Sequence, residues 1–239
     1  MSRPVQRPEL WVEGKNDLFS LCYLLGKHGI DIAESTRRFD VKDKGSVATI
    51  FAGMEQAIRQ SRHRPIGFVI DADWTGIEDG GLQRRWNRVC SILKKLDVAA
   101  DQLPQVPAAQ GTILTVPKFH ARVGFWLMPD NQQDGNLERF LELMMKKQLE
   151  LVEHAKSASE VARGQYGAEF REEDLTKATV YTVLAWQESP GRPPGEIMAK
   201  SESIFEHGSP TAVQFVNWFR ELFEIEETES DAIPPQGQS

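Results

Sequence analysis

Apolar positions along the chain fall into short continuous runs that alternate with stripes of helical spacing. Leu10-Trp11-Val12 predicts a strand over 9–13 that ends at Glu13. From Lys15 onward, Leu18, Leu21, Cys22 and Leu25 recur at helical spacing, and Gly26 and Gly29 mark the end of that helix. A weaker strand fits 36–41. Ser46 suits an N-cap for a helix to about residue 62, with Ile50, Met54 and Ile58 on one face. Pro65 stops that helix, and Ile66-Gly67-Phe68-Val69-Ile70 has the pattern of a central parallel strand covered on both faces.

A glycine-containing loop over 73–81 leads to a helix over 82–96, with Trp86, Val89, Cys90 and Leu93 inward. The stretch 98–118 is rich in Pro and Gln and is broken by a short strand at 112–116. Residues 123–128 predict another buried strand, closed by the turn Pro129-Asp130-Asn131. One long helix is predicted over 136–156, followed by a connector at 157–168. Further helices fit 175–187, 195–204 and 211–223, the last carrying Phe215, Trp218, Phe219 and Leu222. Strands alternating with helices predict an α/β, Rossmannoid fold with a mainly parallel central sheet flanked by helices. The core is expected over 1–156 and a helical C-terminal extension packed on it over 157–226. A disordered tail is expected over 227–239, which is acidic and then Pro- and Gln-rich.

The 239 residues suffice for one sizeable α/β domain with an appendage, and 40% hydrophobic with 26% charged residues is ordinary for a soluble globule. Cys22 and Cys90 lie in apolar helical patterns, outside any zinc-ligand spacing, and read as reduced residues of a cytoplasmic, bacterial-type protein. No apolar run reaches membrane-spanning length, and Met-Ser-Arg-Pro is not a signal peptide, so no membrane partner is expected. A net charge of −7 does not advertise nucleic-acid binding. The basic residues cluster, however, at Arg59, Arg62 and Arg64, and again at Arg84, Arg85, Arg88, Lys94 and Lys95. Such a cluster reads either as a guide for a phosphate backbone or as a solvated helix face.

Two acidic motifs carry the chemistry. Glu13-Gly14-Lys15-Asn16-Asp17 follows the first strand, and Asp71-Ala72-Asp73 follows the 66–70 strand. Parallel α/β sheets build their sites at the carboxyl ends of strands. Carboxylates gathered there repel one another unless neutralised, commonly by a hard divalent cation. Asp71 and Asp73 alternate along an extended strand end, which would point both to one face. For Asp17 the alternative is a charge that favours the helix N-terminus, and for Asp71-Ala72-Asp73 it is an ordinary acidic turn.

This Glu-Gly-x-x-Asp and Asp-x-Asp arrangement resembles the toprim domain of topoisomerases, primases, recombination mediators and overcoming-lysogenization-defect (OLD) nucleases. Gly124-Phe125-Trp126-Leu127-Met128-Pro129-Asp130-Asn131, Gly135-Asn136-Leu137-Glu138 and the block from Leu184-Ala185-Trp186 to Phe215-Val216-Asn217-Trp218-Phe219 look like a small family of uncharacterised toprim-like proteins. The resemblance implies Glu13 as general acid or base, and Asp71 and Asp73 as ligands for Mg²⁺ or Mn²⁺. Glu13, Asp17 and Glu138 would join the ligands, and Lys177 would stabilise the transition state. Lys15, Arg84, Arg85 and Arg88 are the candidate contacts to DNA or RNA. Glu138 also fits an ordinary first-turn acid, and Asp130 fits a turn better than a ligand.

The implied activity is a Mg²⁺-dependent nuclease, with a role in bacterial anti-phage systems by analogy. The alternative is a non-catalytic metal- or partner-binding module. Tyr23, Tyr166 and Tyr181 sit in ordinary settings, which argues against a topoisomerase, and two isolated cysteines cannot supply a primase zinc site. Gly14-Lys15 lacks the glycine-rich loop of a Walker A motif. An OLD-like enzyme fuses its ATPase to the toprim domain, so this chain would need a separate ATPase partner or act without one. Homo-oligomerisation stays open.

Overall fold

The computed structural model describes residues 7–33, 36–77, 79–145, 148–200 and 204–226. Its strands are β1 (Glu9–Val12), β2 (Asp40–Asp43), β3 (Ile66–Asp71), β4 (Thr112–Val116) and β5 (Ala121–Met128). They form one sheet in the order β2-β1-β3-β5-β4. β4 alone runs antiparallel, against β5, and the other pairings are parallel. The helices are α1 (Lys15–Lys27), α2 (Val47–Ser61), α3 (Leu82–Lys95), α4 (Leu137–Met144), α5 (Leu149–Tyr166), α6 (Leu175–Ala185), α7 (Pro194–Ala199) and α8 (Pro210–Phe223).

Side-chain alternation along the strands divides the core into two layers. Leu10, Val12, Val69, Trp126 and Met128 face one side, where they meet α1, α4, α6, α7 and α8 through residues such as Leu24, Phe140, Val183, Met198 and Phe219. Trp11, Phe68, Ile70, Phe125 and Leu127 face the other, against Ile50, Met54 and Ile58 of α2 and Trp86, Val89 and Leu93 of α3. The result is an α/β/α sandwich, as the unbroken apolar runs of β3 and β5 require.

Gly67 and Gly124 are register partners on β3 and β5. A Cβ at Gly67 would lie 2.6 Å from Leu10 Cδ1, and one at Gly124 would lie 2.5 Å from Leu222 Cδ2. This pair of glycines lets α8 settle directly on the sheet. The C-terminal helices therefore share one face of the sandwich with α1 and α4, with α8 in direct contact with the central strands.

Three elements differ from expectation. The second strand is Asp40–Asp43 rather than 36–41. The Asp40 N–H bonds to Pro8 O at 2.8 Å and Glu9 pairs with Asp40, which sets the start of the ladder. Phe39 is left free to stack edge-on against Phe219, 4.8 Å between centroids. The helix expected over 136–156 is divided, because the Glu206 N–H donates to Met144 O at 2.7 Å and closes α4 there. α5 then runs through the expected boundary at 156 and the expected connector, to Tyr166, where Gly167 ends it at φ 75°. The last expected helices appear as α7 and α8, and 201–203 and the 227–239 tail lie outside the described residues.

Candidate functional site

The order β2-β1-β3 means that the chain leaves β1 toward one side of the sheet and leaves β3 toward the other. The crevice between the carboxyl ends of β1 and β3 is thus the topological switch point, where open α/β sheets bind ligands. Glu13 follows β1, and Asp71 ends β3. The Asp71 N–H donates to Glu13 Oε1 at 2.9 Å. The Asp71 carboxylate accepts from Leu137 N, the first amide of α4, at 3.1 Å. One end of the site is thereby tied to a helix N-terminus that favours negative charge.

Asp17 lies in the first turn of α1, where its Oδ2 accepts from Gly14 N at 3.1 Å. Its Oδ1 is buried with no hydrogen-bond partner among the described residues. Glu138, also buried, is in the first turn of α4, with Lys177 Nζ of α6 3.7 Å from its Oε1. Asp73 leaves the extended conformation: at φ 56° it is left-handed and forms a two-bond bridge with Gly135, 2.7 and 3.0 Å. The expected alternation of Asp71 and Asp73 on one strand edge therefore does not hold. Asp73 is placed instead by that bridge and by Arg85, whose Nη2 donates to Oδ2 at 2.7 Å.

The electrostatics bind these groups into one cluster. Burial pushes the Glu13 carboxyl up to about 7, with Asp17 and Asp73 adding repulsion against the opposing hydrogen bond from Asp71. Asp17 is likewise pushed up to about 7, chiefly by burial, with Glu138 and Asp43 adding to it. Asp71 is raised well above the usual carboxylate range by burial and then by Glu13, Asp17, Asp73 and Glu138. Among the described residues, no three His, Cys, Asp or Glu side chains already stand together as a metal cage.

Of the basic candidates, Lys15, Arg84 and Arg88 are exposed, and Arg88 lies over the Phe51 ring and 3.6 Å from Asp79. Arg85 is 4% exposed and belongs to Asp73 rather than to an outer face. Its signal was in the sequence: Arg85 is in phase with the inward Val89 and Ile92 of α3. Three further residues escaped the sequence reading. Asp43 ends β2 beside the cluster. Asn16 donates to the Tyr181 hydroxyl at 2.9 Å, joining α1 to α6. Asp134 accepts from Thr75 N at 2.8 Å and Leu82 N at 2.7 Å, which pins both ends of the loop after β3. Asp130 holds a turn, accepting from Gln132 N and Gln133 N.

Fold and site together define an α/β protein with an acidic crevice at the switch point of its sheet. The chain belongs to the family described as protein of unknown function (DUF3226), which it matches over residues 7–224. No curated protein and no solved structure matches it. No described helix is long and apolar enough to cross a membrane.

Proposed function

We propose that the chain is a Mg²⁺- or Mn²⁺-dependent nuclease of toprim type, hydrolysing phosphodiesters of DNA or RNA. The observation that carries this reading is the convergence of five carboxylates, Glu13, Asp17, Asp71, Asp73 and Glu138, at the switch point. Burial, and after it their mutual repulsion, raises the pKa values of Glu13, Asp17 and Asp71. An all-oxygen donor set of this kind suits a hard divalent cation. The buried, unpartnered Asp17 Oδ1 is an acceptor in need of a cation or a proton. The five carboxylates would hold the metal.

When bound, such a cation activates water and stabilises charge on the phosphate. Glu13 would then exchange a proton with the attacking water or the leaving oxygen. Lys177, beside Glu138, offers a cation to the charge that develops on the phosphate. Exposed Lys15, Arg84 and Arg88 would guide the nucleic-acid backbone, while Arg85 holds Asp73 in place. The toprim resemblance adds an anti-phage setting, with a separate ATPase chain as partner or with none, and the reduced cysteines suit a cytoplasmic location.

One observation favours a second reading, a non-catalytic binding module: Asp73 already has a buried cationic partner in Arg85. A cleavage assay on supercoiled plasmid, single-stranded DNA and RNA with Mg²⁺ or Mn²⁺ separates the two. Metal-dependent cutting by the native chain that is lost in both Glu13→Gln and Asp71→Asn, with unchanged melting, is the result expected of the nuclease. Absence of cutting on every substrate favours the module.

A further inference from the structure

A pocket of about 460 Å³ opens beside the acidic crevice, bounded by the loop after β3, by α4, α5 and α6, and by the segment before α6. That volume is within the range of small-molecule sites, roughly 300–1,000 Å³. It adjoins the carboxylate cluster at three places. Trp74 follows Asp73, Arg139 follows Glu138, and Thr176 precedes Lys177.

Two polar groups that line it have nothing to bond. Thr179 is 1% exposed, and its Oγ1 is buried with no partner among the described residues. Trp74 Nε1, of another lining residue, is buried and unpartnered in the same sense. Buried polar groups are normally satisfied, so two such orphans on residues that line a single cavity point to a ligand with a donor and an acceptor. The walls are firm, since Asp134 pins the loop that carries Trp74 at Thr75 and Leu82.

The charges narrow the ligand further. The acids of the pocket are already engaged: Glu142 with Arg139, Glu172 with Arg163 and Glu173 with Arg171. Lys156, which also lines it, forms no ion pair with any described residue. An aromatic ring, two unsatisfied hydrogen-bonding groups and an uncommitted cation together suit a planar, polar-edged ring joined to an anion. A nucleobase stacks on any aromatic face and carries donors and acceptors in its plane.

We propose that this pocket receives the nucleobase next to the phosphodiester held at the carboxylate cluster, presented by single-stranded DNA or RNA or by a free nucleotide. The assignment rests on the nuclease reading for the role of the base, and its test is independent of cleavage. Calorimetric titrations of the full chain with Mg²⁺ would use the four nucleoside 5′-monophosphates, a single-stranded hexanucleotide, and ribose 5-phosphate as the probe without a base. The base-containing probes are expected to bind roughly tenfold or more tighter than ribose 5-phosphate, and Thr179→Val and Trp74→Ala each to weaken them about five- to tenfold. Thr179→Val keeps the size of the side chain and removes a buried unsatisfied hydroxyl, so its melting temperature should hold or rise.

Binding of the hexanucleotide alone would assign a strand as the source, and binding of the mononucleotides as well would add the free nucleotide. Equal binding with and without the base, unchanged affinity in both variants, or no binding of any probe would overturn the pocket. If bases bind as expected but no substrate is cut, the nuclease reading fails and the pocket stands. If substrate is cut while both variants bind normally, the pocket fails and the nuclease reading stands.

Discussion

The side chain of Glu13 takes up the backbone N–H of Asp71 at 2.9 Å, beyond the last β1–β3 backbone pair, Trp11↔Phe68. One carboxylate therefore both faces the crevice and fastens the two strand ends that form it. Glu13→Ala leaves that amide without its acceptor and should destabilise the fold by about 1–3 kcal/mol. Glu13→Gln keeps a carbonyl oxygen there and should melt close to the native chain. Comparing the two by thermal denaturation shows whether Gln is a clean replacement for cleavage assays.

Protonation of the cluster gives the metal-free protein an inverted pH dependence. Glu13 and Asp17 are raised from 4.5 and 3.8 to about 7 in the folded chain. Groups shifted upward contribute stability that is full below their unfolded pKa and is lost as the pH rises through the folded one. The melting temperature without metal should fall as the pH rises from the ordinary carboxylate range to 8. Mg²⁺ should raise it more at pH 8 than at pH 5, because protons compete for the same oxygens. A melting temperature that is flat across this range would remove the electrostatic argument for the cluster.

Arg85 gives a different prediction from that of its exposed neighbours. Arg85→Met leaves Asp73 Oδ2 without its 2.7 Å donor and should cost about 1.5–3 kcal/mol. Arg84→Ala, at an exposed position, should stay within about 0.5 kcal/mol of native in chemical denaturation. Arg84→Ala and Arg88→Ala should weaken nucleic-acid binding most at low salt.

Lys177 is half-exposed beside the buried Glu138. Lys177→Met should cut the cleavage rate by about 10²–10³-fold if it stabilises the transition state, as removal of one such donor does elsewhere. Its stability should change little. Single-turnover rates at saturating substrate are the measurement. A rate within twofold of native would return Lys177 to the role of a surface charge.

Gly124→Ala places a Cβ against Leu222, 2.5 Å from its Cδ2. Overpacking should destabilise the chain by about 1–3 kcal/mol. Leu222→Ala in the same chain should recover part of that loss, giving a non-zero coupling in a double-mutant cycle. Additivity would mean that α8 shifts freely on the sheet.

Buried strands were readable in the sequence because a parallel strand covered on both faces must be apolar throughout, as in Ile66 to Ile70. The acids at the ends of β1 and β3 were readable for the complementary reason: a carboxylate directly after such a run can only lie at the rim. The break between α4 and α5 was not readable, since the amide that closes α4 belongs to Glu206, far along the chain. The helical pattern continues across the break because both halves have apolar faces.

Local pattern thus determined the α/β class, the inward faces of α2, α3 and α8, and the candidacy of Glu13 and Asp71, while Glu138 came from the toprim resemblance. Tertiary structure alone decided that Arg85 serves Asp73, that Asp73 turns left-handed onto Gly135, and that Trp74 and Thr179 share one cavity. Spacing along a chain fixes which side of an element a residue occupies. Which side chains from distant elements share a volume depends on strand order and helix packing, and those are settled only when the whole core is buried.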